Sequence, residues 1–340
     1  MASRTTSSLL SQALLLLFAF SSLAVARQIP ANASDINPFT DPKDDPFNPL
    51  GYITSNGLTA MAVAITLAIA LPQTWFTWRI GGRFMLAMVI AEYTYTLGIA
   101  FRFGLHTNPD SNAFYILYYL FVTLSPCGFI AAEYVLLGRM ARWLGANNHV
   151  LIPPRRITLV FVCSDVATFL TQAAGGSISA SAHTNPSKAQ AGSRVFLVGL
   201  VLQLVSFAIF MCVYTRFIYR VRKYQPEVWT RDRGMKWYKD WRALASAMWL
   251  SCVGILIRSV YRTIELSEGF DGFLTRTEVY FFALDFVPLV LALVCYIPFW
   301  PGRFIPANAA LPEASPRQPS TDGTLPDKTP DLREKEDEKV

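Results

Sequence analysis

Seven nearly unbroken apolar stretches, each long enough to cross a lipid bilayer, set the terms for this chain. They run over about 55–76, 83–103, 113–138, 157–176, 195–217, 241–262 and 277–299. A helix needs about 20 residues to traverse the hydrocarbon core. No water reaches the backbone there, so a spanning segment must satisfy its own N–H and C=O groups, as a helix or in a closed barrel. Barrel strands alternate apolar and polar residues, and these runs do not. The expected fold is an all-α membrane protein, a seven-transmembrane helix bundle over residues 55–300. Only 16% of the residues are charged, against about 25% in soluble domains, which agrees with lipid as the main solvent.

The polar segments give the bundle an expected direction. Arg4, the apolar stretch Leu9–Phe20 and Ala24-Val25-Ala26 make a secretory signal peptide over 1–26, with cleavage expected after Ala26. Residues 27–54 then form an exoplasmic segment, in which Asn32-Ala33-Ser34 is an N-glycosylation sequon. With the N-terminus outside, the cytosolic loops hold roughly 13 basic residues and the exoplasmic segments about 7, as the positive-inside rule requires. The net charge of +6 comes from these short clusters and not from one basic face, which excludes a nucleic-acid partner. The basic loop 218–240 has two readings: attraction to anionic lipid, or docking of a partner. Trp229, Trp237 and Trp241 suit an interfacial belt. The tail 301–340, Pro-rich and ending in DLREKEDEKV, is expected to be cytosolic and disordered, with room for a cytosolic partner.

Ionisable groups inside the runs are costly and mark functional candidates. Glu92, Glu133 and Asp165 lie in runs two, three and four, with no basic residue at mid-span beside them. Arg102 and Arg139 sit near helix ends, where they are expected to snorkel. Asp165, Thr168 and Gln172 share one helical stripe leading to Gly175-Gly176, where the helix is expected to end. Glu92, Glu133, Asp165 and Gln172 are therefore the candidate lining of a polar groove for a cationic head group. Carboxyls bonded within the bundle are the plainer reading. In runs six and seven, Arg258, Arg262 and Glu265 share a face, as do Glu278 and Asp285. These five suit a structural ion-pair network. Pro126 and Pro288 should kink runs three and seven, freeing carbonyls that often border cavities.

The stretches AAEYVLLGR (131–139), SDVATFLTQAAGG (164–176) and IRSVYRTIELSEGFDG (257–272), followed by Glu278 and Asp285, resemble the fungal lipid-translocating exporter family, the aminocholesterol-resistance-like proteins. The likeness spans roughly residues 50–300. The signal-like start and the sequon are similar to the branch of sphingoid long-chain-base transporters. The resemblance implies a seven-helix plasma-membrane protein, with an endomembrane site as the alternative. It implies export or flipping of lipids and resistance to toxic amphiphiles, with porphyrin uptake in one branch. Its motif positions include Glu133, Tyr134, Arg139, Asp165, Gln172, Gly175, Arg258, Tyr261, Arg262 and Glu265. It implies a small or apolar residue where Glu133 stands, so Glu133 is expected to bear on substrate preference.

Other classes fit less well. The five cysteines all lie in apolar runs without a CxxC pair, and the three histidines are expected on opposite sides of the membrane. A metal site, a cofactor and an enzyme are therefore not expected. No GxxxxGK[ST] run exists to hold ATP. A heptahelical receptor or lipid sensor is the alternative function. Against the rhodopsin-like type, run three ends in LGRMAR, and no loop cysteine is present to bridge it.

Overall fold

The computed structural model describes residues 50–145, 154–181, 186–232, 239–268 and 272–305, together with Phe39, Pro42, Asn48, Gly234 and Lys236. The expected signal peptide, the sequon at Asn32, Trp237 and the tail beyond 305 lie outside the described residues. No strand occurs among the described residues.

Six helices are long and apolar enough to cross a membrane. They are α1 (Asn56–Arg79), α2 (Leu86–Thr107), α3 (Asn112–Trp143), α4 (Pro154–Ser181), α5 (Pro186–Tyr224) and α6 (Trp241–Glu268). The seventh apolar run folds differently from a plain spanning helix. It forms α7 from three consecutive pieces, Glu278–Tyr280, a π-helical turn Phe281–Phe286 and Val287–Val294. Proline at 288 has no N–H to give to the preceding turn, and the wider turn lies directly before it. The chain from Glu278 to Trp300 runs along α1 from its start to its end. Glu278 accepts from the Ser55 backbone N–H at 3.2 Å at one end, and the Trp300 indole donates to the Gly81 carbonyl at 2.8 Å at the other.

Each helix packs on its sequence neighbours, α7 closes the ring on α1, and α3 also reaches α6. The α1–α7 seam carries a hydrogen bond from Gln73 to the Leu293 carbonyl, 3.0 Å. Between α4 and α5 the backbones nearly touch. A Cβ on Gly175 would collide with the backbone of Gly192 and Phe196, and one on Gly192 with that of Ser179 and Gly175. Such small-residue crossings let helices approach where no hydrophobic force joins them. The expectation that α4 ends at Gly175-Gly176 is therefore corrected. Those glycines are packing points within a helix that continues to Ser181.

Two further boundaries move. Helix α5 runs on through the basic residues to Tyr224, because Arg and Lys are good helix formers once a helix is under way. The loop starts only at Gln225, before a short helix Pro226–Thr230. Trp241, expected in an interfacial belt, is instead fully buried at the foot of α6. Its indole donates to the Val228 carbonyl at 3.2 Å. After Trp300, residues 301–305 do not join the tail but turn back as a helical turn, Pro301–Phe304, with Ile305 buried.

The side-chain distribution is that of a protein solvated by lipid. Leu71, Trp78, Leu159, Val205 and Leu291 point outward and exposed, while Gln73, Glu92, Arg102, Glu133 and Arg258 are buried. A water-soluble chain would show the reverse.

Candidate functional site

The densest polar constellation sits where α2, α3, α6 and α7 meet. Asp285, in the π-helical turn, is fully buried. It accepts from Arg262 Nε at 2.6 Å and from the Tyr95 hydroxyl at 3.1 Å. Arg258 Nε lies 3.1 Å from the same carboxylate. Arg262 reaches one turn along α6 to Glu265, 2.9 Å away. The Arg258 guanidinium also lies over the Tyr95 ring, 4.9 Å from its centroid, a favourable place for a desolvated cation.

Pro126 explains how Arg258 is held from the other side. Proline at 126 leaves the Val122 carbonyl without its helical donor. Arg258 Nη2 donates to that carbonyl at 2.7 Å, and Ser125 Oγ donates at 3.0 Å. The freed group is thereby satisfied across the α3–α6 contact.

Of the five residues read as one network, Arg258, Arg262, Glu265 and Asp285 come together and Glu278 does not. The π-helical turn carries one residue more than an α-turn, which rotates Glu278 away from Asp285 by about 100°. Glu278 pairs instead with Arg102. Arg102 does not snorkel: it is fully buried. It donates to the Tyr118 hydroxyl at 3.1 Å and lies 4.7 Å from the Phe281 ring centroid. Tyr52 caps this cluster from the segment before α1, with its hydroxyl 3.4 Å from Arg102 Nη1. Burial pushes the Tyr52 phenol up, against the pull of Arg102, so it stays neutral at physiological pH and accepts from the guanidinium.

The four residues read as one groove fall into three places. Glu133 is buried where α3, α6 and the end of α7 meet, accepting from Ser251 Oγ at 2.5 Å and from the Tyr296 hydroxyl at 2.8 and 2.7 Å. Asp165 and Gln172 lie together on the face that α4 turns to α3 and α5. Gln172 donates to Gln203 at 2.7 Å, and Gln203 donates to Cys127 Sγ at 3.4 Å. Tyr134 sets its hydroxyl against Asp165 without a hydrogen bond of ordinary geometry. Glu92 stands apart on α2, buried, with neither carboxylate oxygen hydrogen-bonded. Among the described residues none of Glu92, Glu133 and Asp165 has an ion-pair partner.

Two cavities border the arginine cluster, and Arg262 lines both; neither is lined by Glu92, Glu133, Asp165 or Gln172. The first opens about 460 Å3, mouth included, beside Tyr115, Tyr118, Tyr119 and Glu265. The second opens about 360 Å3 among α3, α5 and α6, beside Thr123, Pro126, Gln203 and Arg258. No group of three or more metal-ligating side chains occurs among the described residues; the cavities are lined by charges, hydroxyls, aromatic faces and aliphatic side chains.

Sequence reasoning missed Arg102, Tyr95, Ser251 and Tyr296. Hydroxyls and tyrosines in apolar runs carry no mark of their partners. Arg102 was visible only as a charge one residue before the end of the second run, a place where snorkelling is the ordinary expectation.

Comparison with known proteins places this architecture. Residues 88–308 match the family model described as RTA1 like protein. Protein RTA1 of Saccharomyces cerevisiae is 31% identical over 205 residues, covering 60% of this chain and 62% of that protein. A sphingoid long-chain base transporter of the same yeast, RSB1 of strain YJM789, is 26% identical over 271 residues, 72% of this chain and 70% of that one. Protoporphyrin uptake protein 1, also from this yeast, is 28% identical over 194 residues, 56% and 59% respectively. Against the first of these the chain spans about 62% of the relative's length. No solved structure matches.

Proposed function

We infer that this chain, which belongs to the RTA1-like protein family, translocates amphiphilic lipids, and that sphingoid long-chain bases are its substrate class. The observation that carries the reading is the set of acidic side chains on α2, α3 and α4. Glu92, Glu133 and Asp165 are buried, and among the described residues none is paired with a cation. A buried carboxylate without a cation is expensive in its charged form, and such groups inside a membrane span mark functional candidates. An ammonium head group crossing between these helices would supply the missing charge while its tails stay in lipid. The name of the sphingoid-base relative supports this choice, and that of the porphyrin-uptake relative supports a broader taste for amphiphiles.

The working topology is seven crossings, with the broken α7 as the seventh, the N-terminus outside and the C-terminus cytosolic. The ends of α1, α3 and α5 then carry their basic residues on the cytosolic side. The expected signal peptide over 1–26 and the plasma membrane as its site belong to the same reading. The chain acts on its lipid by moving it and not by catalysis.

Reconstitution tests this. The purified chain is placed in vesicles with a fluorescent sphingoid base, and the rate of leaflet exchange is compared with empty vesicles. Acceleration is expected, with Asp165→Asn slowing it at least about tenfold, the scale on which a charge-assisted contact acts. No acceleration, or equal rates for wild type, Asp165→Asn and Glu133→Gln, overturns the reading.

A further inference from the structure

The cavity among α3, α5 and α6 is lined by donors that have nothing to donate to. Arg258 and Arg262 are 1% and 5% exposed. Arg258 spends Nη2 on the Val122 carbonyl, and Arg262 spends Nε and Nη1 on Asp285 and Glu265. Arg258 Nη1, Arg262 Nη2 and Thr123 Oγ1 are buried and have no hydrogen-bond partner. All three residues line this one cavity. Buried polar atoms are nearly always satisfied, so an orphaned group needs an explanation. Three orphaned donors from two helices around one space make a common explanation the economical one.

The acidic neighbours do not fill that need. Asp285 and Glu265 already bind the arginines by other nitrogens. Gln203 lines the cavity with its own amide turned to Cys127 and its oxygen to Gln172. The remaining wall is Leu200, Leu204 and Pro126 with Ser259, whose hydroxyl is already committed to the Ile255 carbonyl at 2.8 Å. One free guanidinium nitrogen from each arginine and a hydroxyl, over a mostly apolar wall, match a carboxylate or phosphate joined to a hydrocarbon body.

We propose that this cavity binds an oxyanion head group, a carboxylate or phosphate, through Arg258 Nη1, Arg262 Nη2 and Thr123. The site is distinct from the unpaired carboxylates on α2, α3 and α4 and does not depend on the sphingoid-base reading. It gives Arg258 and Arg262 a second duty beyond fastening α6 to α7.

The test uses the full chain purified in neutral detergent. A radiolabelled monoacylglycerol phosphate and a radiolabelled long-chain fatty acid are titrated separately, with inorganic phosphate, acetate and a long-chain amine as competitors. Saturable binding is expected. Thr123→Val, nearly isosteric and outside every ion pair, should weaken it about fivefold, and Arg258→Lys about tenfold or more, by loss of hydrogen bonds to a charged group. Thr123→Val keeps the result readable if Arg258→Lys fails to fold. Displacement by inorganic phosphate or acetate assigns the site to the anion itself. Displacement by the acidic lipids alone assigns it to an amphiphile, and either outcome supports the site. Absence of saturable binding to the folded wild type overturns it. So does unchanged affinity in Thr123→Val, or equal displacement by the amine.

Discussion

Replacing Asp285 by asparagine removes the carboxylate that Arg258 and Arg262 share, with almost no change of shape. The aspartate is fully buried and takes hydrogen bonds from Arg262 and Tyr95, with Arg258 3.1 Å away. Arg262 would keep Glu265 at 2.9 Å. Arg258 would keep only the Val122 carbonyl and its place over Tyr95. Removing one partner of a buried ion pair costs about 3–5 kcal/mol, because a charge is left uncompensated. The second carboxylate on Arg262 places the cost near the lower end, about 3 kcal/mol, a shift of roughly a hundredfold in the folded population. Equilibrium unfolding of the purified chain in mixed micelles measures it. A second substitution isolates the cause: Arg258→Met in the Asp285→Asn background removes the stranded cation and should recover about 1 kcal/mol or more. If Asp285→Asn unfolds within about 0.5 kcal/mol of wild type, or the two substitutions simply add, the charge-sharing argument fails.

Two other outcomes follow from local geometry. Gly175→Ala puts a Cβ into the backbone of Gly192 and Phe196 and should cost about 1–3 kcal/mol by overpacking. Unchanged stability in the same unfolding assay would mean that α4 and α5 do not meet so closely. At the start of α6, Asp240 caps the helix by accepting the Arg242 backbone N–H at 2.9 Å. Burial pushes its carboxyl up, but side-chain and backbone hydrogen bonds from Arg242 outweigh that and hold it below the usual range. A depressed folded value means the contribution is fully present above the unfolded value of about 3.9 and is lost as pH falls through the folded one. Asp240→Ala should therefore cost about 1 kcal/mol at neutral pH, with a loss that shrinks in acid. A loss independent of pH below about 4 would count against the carboxylate as its source.

The helices were legible because lipid imposes so blunt a rule. An apolar run of sufficient length has few other ways to satisfy its backbone. The meeting of Arg258 and Arg262 with Asp285, and of Arg262 with Glu265, follows from helical spacing and from the two helices being consecutive. Glu278 escaped that logic because a π-helical turn, set off by no sequence mark beyond the proline at 288, changes the face on which it emerges. The close approach of α4 and α5 was hidden for a related reason. Gly175-Gly176 reads equally well as a helix end or as a packing notch, and only the partner glycine at 192 decides between them. The division of Glu92, Glu133, Asp165 and Gln172 into three separate places could not be read at all. Each residue's face is given by its own helix, but the rotation of that helix is set by neighbours such as Tyr296 and Gln203, whose polar ends look ordinary in sequence.

The Val122 carbonyl has one further implication. An oxygen of this kind can take two hydrogen bonds, and here both places are occupied, by Arg258 and by Ser125. Any ordinary residue at 126 would restore a backbone N–H and bring a third suitor to a saturated acceptor. The winner of that contest would decide whether Arg258 stays tethered to α3 or swings free. Position 126 thus behaves less like a bend in a rod than like a latch, and the tether of a buried cation on α6 is written in the absence of a single hydrogen atom on α3.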